Sequence, residues 1–338
     1  MTKFKYYMYL MINMAKEYKL DLLDKKILYE LDKDARMPIS ILAKKVRRDR
    51  AVVNYRINQL VGSGIIQNFV TLLDPGRVGV MIWNIYLQLQ DTNKEIEKEI
   101  VDYMTKNKRI WWVGKCTGKW DIICSFLVKD IKEFYDLVID FQSKFGRYIQ
   151  NQNLVAHAEV EIISRGYLLG KAGEGVTWFK ENKPEKIDEI DKKIIKELSI
   201  NARIPCTELA SKLKLTPRVI NYRIKDLIKR KIITKFRLQL DVKRIGYSFY
   251  KAIIYLKDYT PQKDEKLKNY CLSLGNVFHY EKKIGPWMLE LEMDVESYEK
   301  FNEILRNMKE KFPDFIKDFD GMLIYEEPKG QLDISKVL

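Results

Sequence analysis

The feature that most constrains this chain is that it repeats itself. Leu23-Asp24-Lys25-Lys26-Ile27 recurs as Ile190-Asp191-Lys192-Lys193-Ile194, so that Asp24 falls on Asp191, 167 positions later. The same offset carries Ala35-Arg36 onto Ala202-Arg203, Pro38 onto Pro205, Leu42-Ala43 onto Leu209-Ala210, and Asn54-Tyr55-Arg56-Ile57 onto Asn221-Tyr222-Arg223-Ile224. It continues without a gap through Asp74 and Gly79 (Asp241 and Gly246) to Gly118 and Trp120 (Gly285 and Trp287). One shared pentamer is chance, but a gapless register of this length is a duplication. Whatever one copy folds into, the chain folds into twice.

At 338 residues the chain is long enough for two or more cores, and 46% hydrophobic with 32% charged residues is the composition of a folded protein. The net charge of +14 favours polyanionic partners, because a Lys or Arg set near a phosphate releases a condensed counterion. Cys116, Cys124, Cys206 and Cys271 form no CxxC pair, so neither a zinc site nor a disulfide framework is indicated, and a reducing cytoplasm is the expected location. The apolar stretch 6–12 is far shorter than a membrane span and is followed by no small-residue cleavage site; the reading is a lead-in, with Met14 as an alternative start and no membrane partner. Between the copies, the stretch from Ser164 holds Gly166, Gly170, Gly173, Gly175 and Pro184 with many lysines, as a linker does.

Each copy opens with three short helical patterns. Leu23, Ile27 and Leu31 (Ile190, Ile194 and Leu198) recur at helical spacing behind an early aspartate. The break at Ala35-Arg36-Met37-Pro38 ends that helix, and Ser40 (Thr207) is expected to cap a second one carrying Leu42, Ala43 and Val46 (Leu209, Ala210 and Leu213). Asp49, or Thr216 followed by Pro217, caps a third. At about 100° per residue, Val53, Ile57 and Leu60 share the inner face of that helix, while Ala51, Asn54, Tyr55 and Asn58 lie opposite; the second copy presents Arg218, Asn221, Tyr222 and Lys225.

Two short helices, a tight turn and a third helix with a polar face make up the helix-turn-helix plan, in which the third helix enters the major groove of double-stranded DNA. An asparagine amide donates and accepts at once, matching the N6/N7 edge of adenine, and Tyr, Arg and Lys reach bases or phosphates. Candidate DNA contacts are therefore Arg47, Arg48, Arg50, Asn54, Tyr55 and Asn58, and in the second copy Arg218, Asn221, Tyr222 and Lys225. Ile65-Ile66 and Ile232-Ile233, followed by Phe69 and Phe236, read as β-wings, with Lys229, Arg230, Lys231, Lys235 and Arg237 concentrating charge beside the second. Arg56 and Arg223 sit about 60° from the inner face and are assigned to pairing with an acidic residue of the first helix.

The chain resembles the Lrp/AsnC family of feast-or-famine regulators, on Leu20-Asp21-Leu22-Leu23-Asp24, Asp34-Ala35-Arg36, Leu42-Ala43 and Arg56-Ile57-Asn58-Gln59-Leu60. It is similar to a tandem version known among archaeal members. The resemblance implies an α+β fold, two tandem copies of a winged helix-turn-helix followed by a ferredoxin-like βαββαβ domain. The residues support it independently: strands at Met81–Leu89, Ile110–Cys116, Ile122–Val128 and around 155–162, helices at 94–104 and 131–141, and the same series over 250–325. The expected layout is an N-terminal extension (1–19), winged helices (20–76 and 188–243), ferredoxin-like domains (77–163 and 244–328), a linker (164–187) and a tail (329–338). The resemblance also implies pairing, as a homo-oligomer or an internal pseudo-dimer of the two copies. It places an amino-acid-like effector near the turn Gly118-Lys119-Trp120-Asp121, with Gly118 and Asp121 as candidates; the second copy departs there, with Gly285-Pro286-Trp287-Met288.

No nucleophile, metal-ligand cluster or phosphate loop is visible in the sequence, and no cofactor is implied. Two alternatives to a sequence-specific regulator stay open. One is a chromatin-like architectural protein held by phosphates. The other is an enzyme, since siroheme decarboxylases are similar to this family; Val277-Phe278-His279-Tyr280-Glu281 is similar to their histidine-containing strand, and His157 is the other histidine of the chain.

Overall fold

Asp21 sets the start of the first helix. Its carboxylate accepts from the Asp24 amide at 2.8 Å while Asp24 accepts from the Asp21 amide at 3.3 Å, a reciprocal cap. In the computed structural model, which describes residues 19–181 and 183–330, this helix is α1 (Leu22–Lys33). The stretch 6–12, Met14, the extension up to residue 18 and the tail from residue 331 lie outside the described residues.

The first copy continues with α2 (Ile39–Val46), α3 (Arg50–Gly62), β1 (Ile66–Leu73), β2 (Met81–Leu89), α4 (Lys94–Lys106), β3 (Ile110–Cys116), β4 (Ile122–Val128), α5 (Ile131–Phe145) and β5 (Ile149–Ile163). A connecting strand, β6 (Gly175–Phe179), follows. The second copy has the same order: α6 (Glu189–Ile200), α7 (Cys206–Leu213), α8 (Pro217–Lys229), β7 (Ile233–Leu240), β8 (Ser248–Leu256), α9 (Pro261–Leu274), β9 (Val277–Ile284), β10 (Leu289–Val295), α10 (Tyr298–Lys311) and β11 (Ile316–Lys329).

Helices α2 and α7 begin earlier than their expected caps. Pro38 and Pro205 occupy the N-cap positions without a side-chain cap, so Ser40 and Thr207 fall inside the first turn. Both helices end on a residue in the left-handed region, Arg47 at φ 56° and Lys214 at φ 54°, and this reversal makes the tight turn into the third helix.

The wings also depart from expectation. Instead of separate hairpins, β1 and β7 pair antiparallel with each other, Val70 opposite Arg237 and Phe69 opposite Leu238. The ribbon welds the two winged helices into one body. It is extended by Ala35 N–H donating to Phe236 O at 3.0 Å and, symmetrically, Ala202 N–H to Phe69 O at 2.9 Å.

The remaining strands run in the order β2-β4-β3-β11-β8-β10-β9-β5, and β5 pairs back onto β2, which closes an eight-stranded barrel. Closure depends on the long last strand of each copy: β5 leaves β2 and continues along β9, and β11 leaves β8 and continues along β3. Side chains alternate across each strand. Tyr250, Ala252 and Ile254 face outward, where α10 buries Phe301, Ile304, Leu305 and Met308 against them. Each such burial contributes about 1.5–3 kcal/mol. One end of the barrel interior is apolar, filled by Tyr86, Trp120, Ile253, Trp287 and Met322.

The stretch expected to be a linker is partly structure. Strand β6 pairs with β5, Ile162 opposite Val176, and the buried Trp178 donates its Nε1–H to Leu73 O at 2.6 Å. Among the described residues no helix is long and apolar enough to cross a membrane.

Candidate nucleic-acid interface

Helices α3 and α8 bury Val53, Ile57 and Leu60, and Ile220, Ile224 and Leu227, against their modules. That fixes the opposite face toward solvent. Asn54, Tyr55 and Asn58 are exposed on α3, and Arg218, Asn221, Tyr222 and Lys225 on α8. The tyrosines stand out most, 60% and 68% exposed, although a bulky aromatic ring is ordinarily covered. Gln59 Nε2 donates to Tyr55 Oη at 2.7 Å and holds that ring on its helix.

The approach to each helix differs. Arg47, Arg48 and Arg50 are exposed around the start of α3, whose Asp49 makes no side-chain cap and leaves the first amides open. At α8, Thr216 Oγ1 accepts from Val219 N–H at 3.3 Å and Pro217 fills the first position. Lys229 and Lys231 are exposed at the far end.

Arg56 and Arg223 are the structural ties their spacing indicates. Arg56 reaches Asp21 at 2.9 Å and Asp24 at 3.3 Å, and Arg223 reaches Asp191 at 3.1 Å and also pairs with Asp188.

Three of the predicted DNA contacts are placed otherwise. Arg230 is half-buried, pairing with Asp226 at 3.3 Å and Glu185 at 3.5 Å and donating to Lys186 O. Lys235 is half-buried on the ribbon; burial pushes its ammonium down to about 8, even with Asp32 nearby pulling the other way. Arg237 is only 3% exposed, with Nε 2.9 Å from Asp32 and Nη2 donating to Ile163 O at 3.0 Å. The β1–β7 pairing turns its side chain inward, toward Asp32 and Ile163.

Asp32 is the centre of a buried network that sequence reasoning missed. Burial raises its carboxyl, but Arg237 and Arg165 lower it further, so it is held well below the usual carboxylate range. Arg165 donates to Asp32 at 2.8 Å and to Asp294 of β10 at 2.7 Å, binding the first winged helix, the ribbon and the barrel together. A signal was available: alternate positions of β8, β9 and β10 carry Lys251, Glu281, Glu290, Glu292 and Asp294 where the offset of 167 gives neutral residues in the first copy. The fold also gathers His279, Glu281 and Glu292, three groups with metal-binding atoms within 4.8 Å of one another, which sequence spacing did not disclose.

At the proposed effector turn, Asp121 is engaged with the backbone, accepting from Leu89 N–H at 2.9 Å. Gly118 has φ +110° and lies where a Cβ would stand 3.2 Å from Gly321 O.

The AsnC-type helix-turn-helix domain family matches residues 187–228, and the winged helix-turn-helix DNA-binding family matches residues 20–67. An uncharacterized HTH-type transcriptional regulator of Pyrococcus furiosus is 33% identical over 128 residues, 37% of this chain and 82% of that protein. The HTH-type transcriptional regulator LrpC of Bacillus subtilis is 29% identical over 123 residues, 36% of this chain and 82% of its own length. Among solved structures, the siroheme decarboxylase NirDL has the same fold, with a TM-score of 0.62 over 91% of this chain and 92% of that one at 14% identity. Two helix-turn-helix units with exposed polar third helices, on a mixed α/β fold, define a winged helix-turn-helix DNA-binding protein. The chain belongs to the Lrp/AsnC family of transcription regulators.

Proposed function

We propose that the chain sets α3 and α8 into the major groove of double-stranded DNA as one body and reads an asymmetric site. The observation that carries this reading is a pair of exposed Asn-Tyr faces in one register with different neighbours, Ala51 and Asn58 on α3 against Arg218 and Lys225 on α8. A homodimer presents two identical readers to a palindrome; here the readers differ within one chain. The reading takes the chain as a tandem duplication, winged helices at 20–76 and 188–243 and ferredoxin-like βαββαβ domains at 77–163 and 244–328, joined by 164–187 and paired as an internal pseudo-dimer. The gapless repeat and the exchange of β5 and β11 between copies support it. Association of chains would add readers and raise their effective concentration on DNA. An amino-acid-like effector at Gly118 and Asp121 belongs to this reading through the family resemblance.

The test is fluorescence anisotropy of the chain on its own upstream DNA and on a scrambled duplex across a salt series. Preference by roughly a thousandfold at moderate salt supports sequence-specific regulation. Equal binding with a steep salt slope supports an architectural role instead.

A second reading, an enzyme like the siroheme decarboxylases, is favoured by one observation: a cavity between the ribbon and the barrel is lined by His279, Arg237 and Arg165. Its volume of about 140 Å³ weighs against it. Pockets for drug-sized ligands run to roughly 300–1,000 Å³, and a tetrapyrrole needs more room than this cavity has. A saturable change in the visible spectrum on mixing with siroheme would establish the enzyme reading; an unchanged spectrum removes it.

A further inference from the structure

We propose that this cavity, at the charged end of the barrel, is a binding site for a small organic cation about one ring in size. The site does not depend on the DNA reading.

The charge count sets the sign of the ligand. Inside the barrel mouth Lys251 lies 3.3, 2.9 and 2.8 Å from Glu281, Glu290 and Glu292, and Lys283 lies 2.9 Å from Glu281 and 3.3 Å from Glu290. Two lysines therefore face three carboxylates, all buried. Around this cluster, Arg165, Arg237 and the half-buried Lys235 stand against Asp32 and Asp294. Glu327, at the mouth, adds a further carboxylate and accepts from Trp112 Nε1–H at 2.7 Å. His157 and His279 also line the cavity, against Lys283 and Glu292 respectively. Among the Lys, Arg and carboxylate side chains that line the cavity itself, Arg165, Arg237 and Lys251 face Glu281, Glu292, Asp294 and Glu327, so the excess is negative.

Walls and volume set the body of the ligand. Trp111, Trp112, Trp178, Phe249 and Phe278 line the space, and aromatic faces attract cations. A volume of about 140 Å³ is close to that of an engineered apolar cavity known to take benzene. Trp111 is 9% exposed, and its Nε1–H is buried with no hydrogen-bond partner, so a ligand with an acceptor as well as its charge would satisfy it. The exposed lining residues Gln67 and Glu327 mark the entrance.

The repeat shows that the buried ions are particular to one copy. The offset of 167 carries Lys251 onto Asn84, Glu281 onto Gly114, Lys283 onto Cys116, Glu290 onto Ile123, Glu292 onto Ser125 and Asp294 onto Leu127. The registers agree: Asn84 pairs with Ser125 as Lys251 pairs with Glu292, and a Ser125–Asn84 hydrogen bond of 2.7 Å stands where the second copy has an ion pair. Packing alone is satisfied by the neutral set. Buried ions carry a desolvation cost, and their confinement to one copy, at a cavity whose aromatic walls come from both, points to a ligand.

A divalent metal at His279, Glu281 and Glu292 is the competing occupant. Lys251 Nζ already bridges Glu281 and Glu292, and His279 Nδ1 is 2.7 Å from Glu292, so a metal would have to displace both contacts.

The test is titration of the full chain with tyramine, whose ammonium supplies the charge and whose phenol oxygen supplies the acceptor, read by tryptophan fluorescence and calorimetry, with benzoate, Zn²⁺ and Mn²⁺ as comparison probes. Saturable amine binding with a Kd at or below about 1 mM is expected, with benzoate at least tenfold weaker. Glu292→Gln and Trp111→Phe should each weaken the amine at least tenfold, and Tyr135→Ala, exposed on α5 and outside the cavity lining, should not. Trp111→Phe keeps the test decisive if Glu292→Gln fails to fold. No amine binding at 10 mM, equal binding of benzoate, or metal binding that excludes amines overturns the proposal. DNA affinity of the same sample is measured separately, so failure of this site and failure of the DNA reading are told apart.

Discussion

Arg36 and Arg203 do the same thing in opposite directions. Arg36 donates to the carbonyls of Ala202 and Ile204, which flank Arg203, and Arg203 donates to those of Ala35 and Met37, which flank Arg36. Each guanidinium also lies over the other copy's ribbon phenylalanine, Arg36 on Phe236 and Arg203 on Phe69, with centroid distances of 5.5 and 5.4 Å. The Ala-Arg pair of each copy is thus the clasp that holds the other winged helix at a set orientation.

Arg36→Ala or Arg203→Ala should cost about 1–3 kcal/mol in urea unfolding, the penalty for leaving buried acceptors unsatisfied. Lysine should not rescue either position, because one ammonium cannot reproduce the guanidinium fork spanning two carbonyls. Full stability of Arg36→Lys would show that the clasp is incidental.

Asp32→Asn should be more severe, about 3–5 kcal/mol, since it leaves Arg165 and Arg237 buried with one counter-charge fewer. The measurement is the urea midpoint, together with limited proteolysis between Ile163 and Trp178, where undocking of the winged helices should first show.

Acid should destabilise the fold in two stages. Burial, with Lys283 beside it, lowers the His157 imidazole to about 3, against an unfolded value near 6.5. The unfolded chain therefore takes up this proton first. Stability is complete above about pH 6.5 and falls by up to about 1.4 kcal/mol per pH unit toward pH 3. Below about pH 4 the carboxylates Asp32, Glu281 and Glu292, all held low in the fold by their cationic neighbours despite burial, add a second loss, because the unfolded chain protonates them first. His157→Gln should flatten the melting temperature between pH 6.5 and 4.5 and leave the steeper loss below pH 4. An unchanged slope in that variant would assign the first stage elsewhere.

On DNA, Asn221→Ala with Tyr222→Ala should weaken the preferred sequence more than the scrambled one, whereas Lys229→Ala with Lys231→Ala should lower the salt slope by about two on every sequence. Arg237→Ala should leave that slope unchanged and lower stability instead, because its partner is Asp32. Equal losses on all sequences from the first pair would remove the base-reading role of α8.

Much of the fold was legible in the residues. The 3.6-residue spacing of Val53, Ile57 and Leu60 placed the third helix, and strands β2, β3 and β4 begin and end where the alternation does. The last strand, expected around 155–162, runs from Ile149 to Ile163. Its first half is polar, and only its pairing with β2 makes that half a strand. The exposed faces of α3 and α8 were also legible, because exposure on a helix follows from position once the inner face is known. The ribbon cations were not: charge on a strand says nothing about which side meets solvent until its partner is known.

The sequence alone therefore determined what repeats at short range: two copies, the helix-turn-helix in each, the Asn-Tyr faces and the order of helices and strands. These depend on the periodicity of neighbouring residues, which is local. Only the tertiary structure decided that β1 pairs with β7, that β5 and β11 cross between copies to close a barrel, and that Asp32, Arg165, Arg237 and Asp294 meet beneath the wings. Those groups lie far apart along the chain. A buried charge is stable only beside its counter-charge, so what a cation does is settled by a partner that local pattern cannot name.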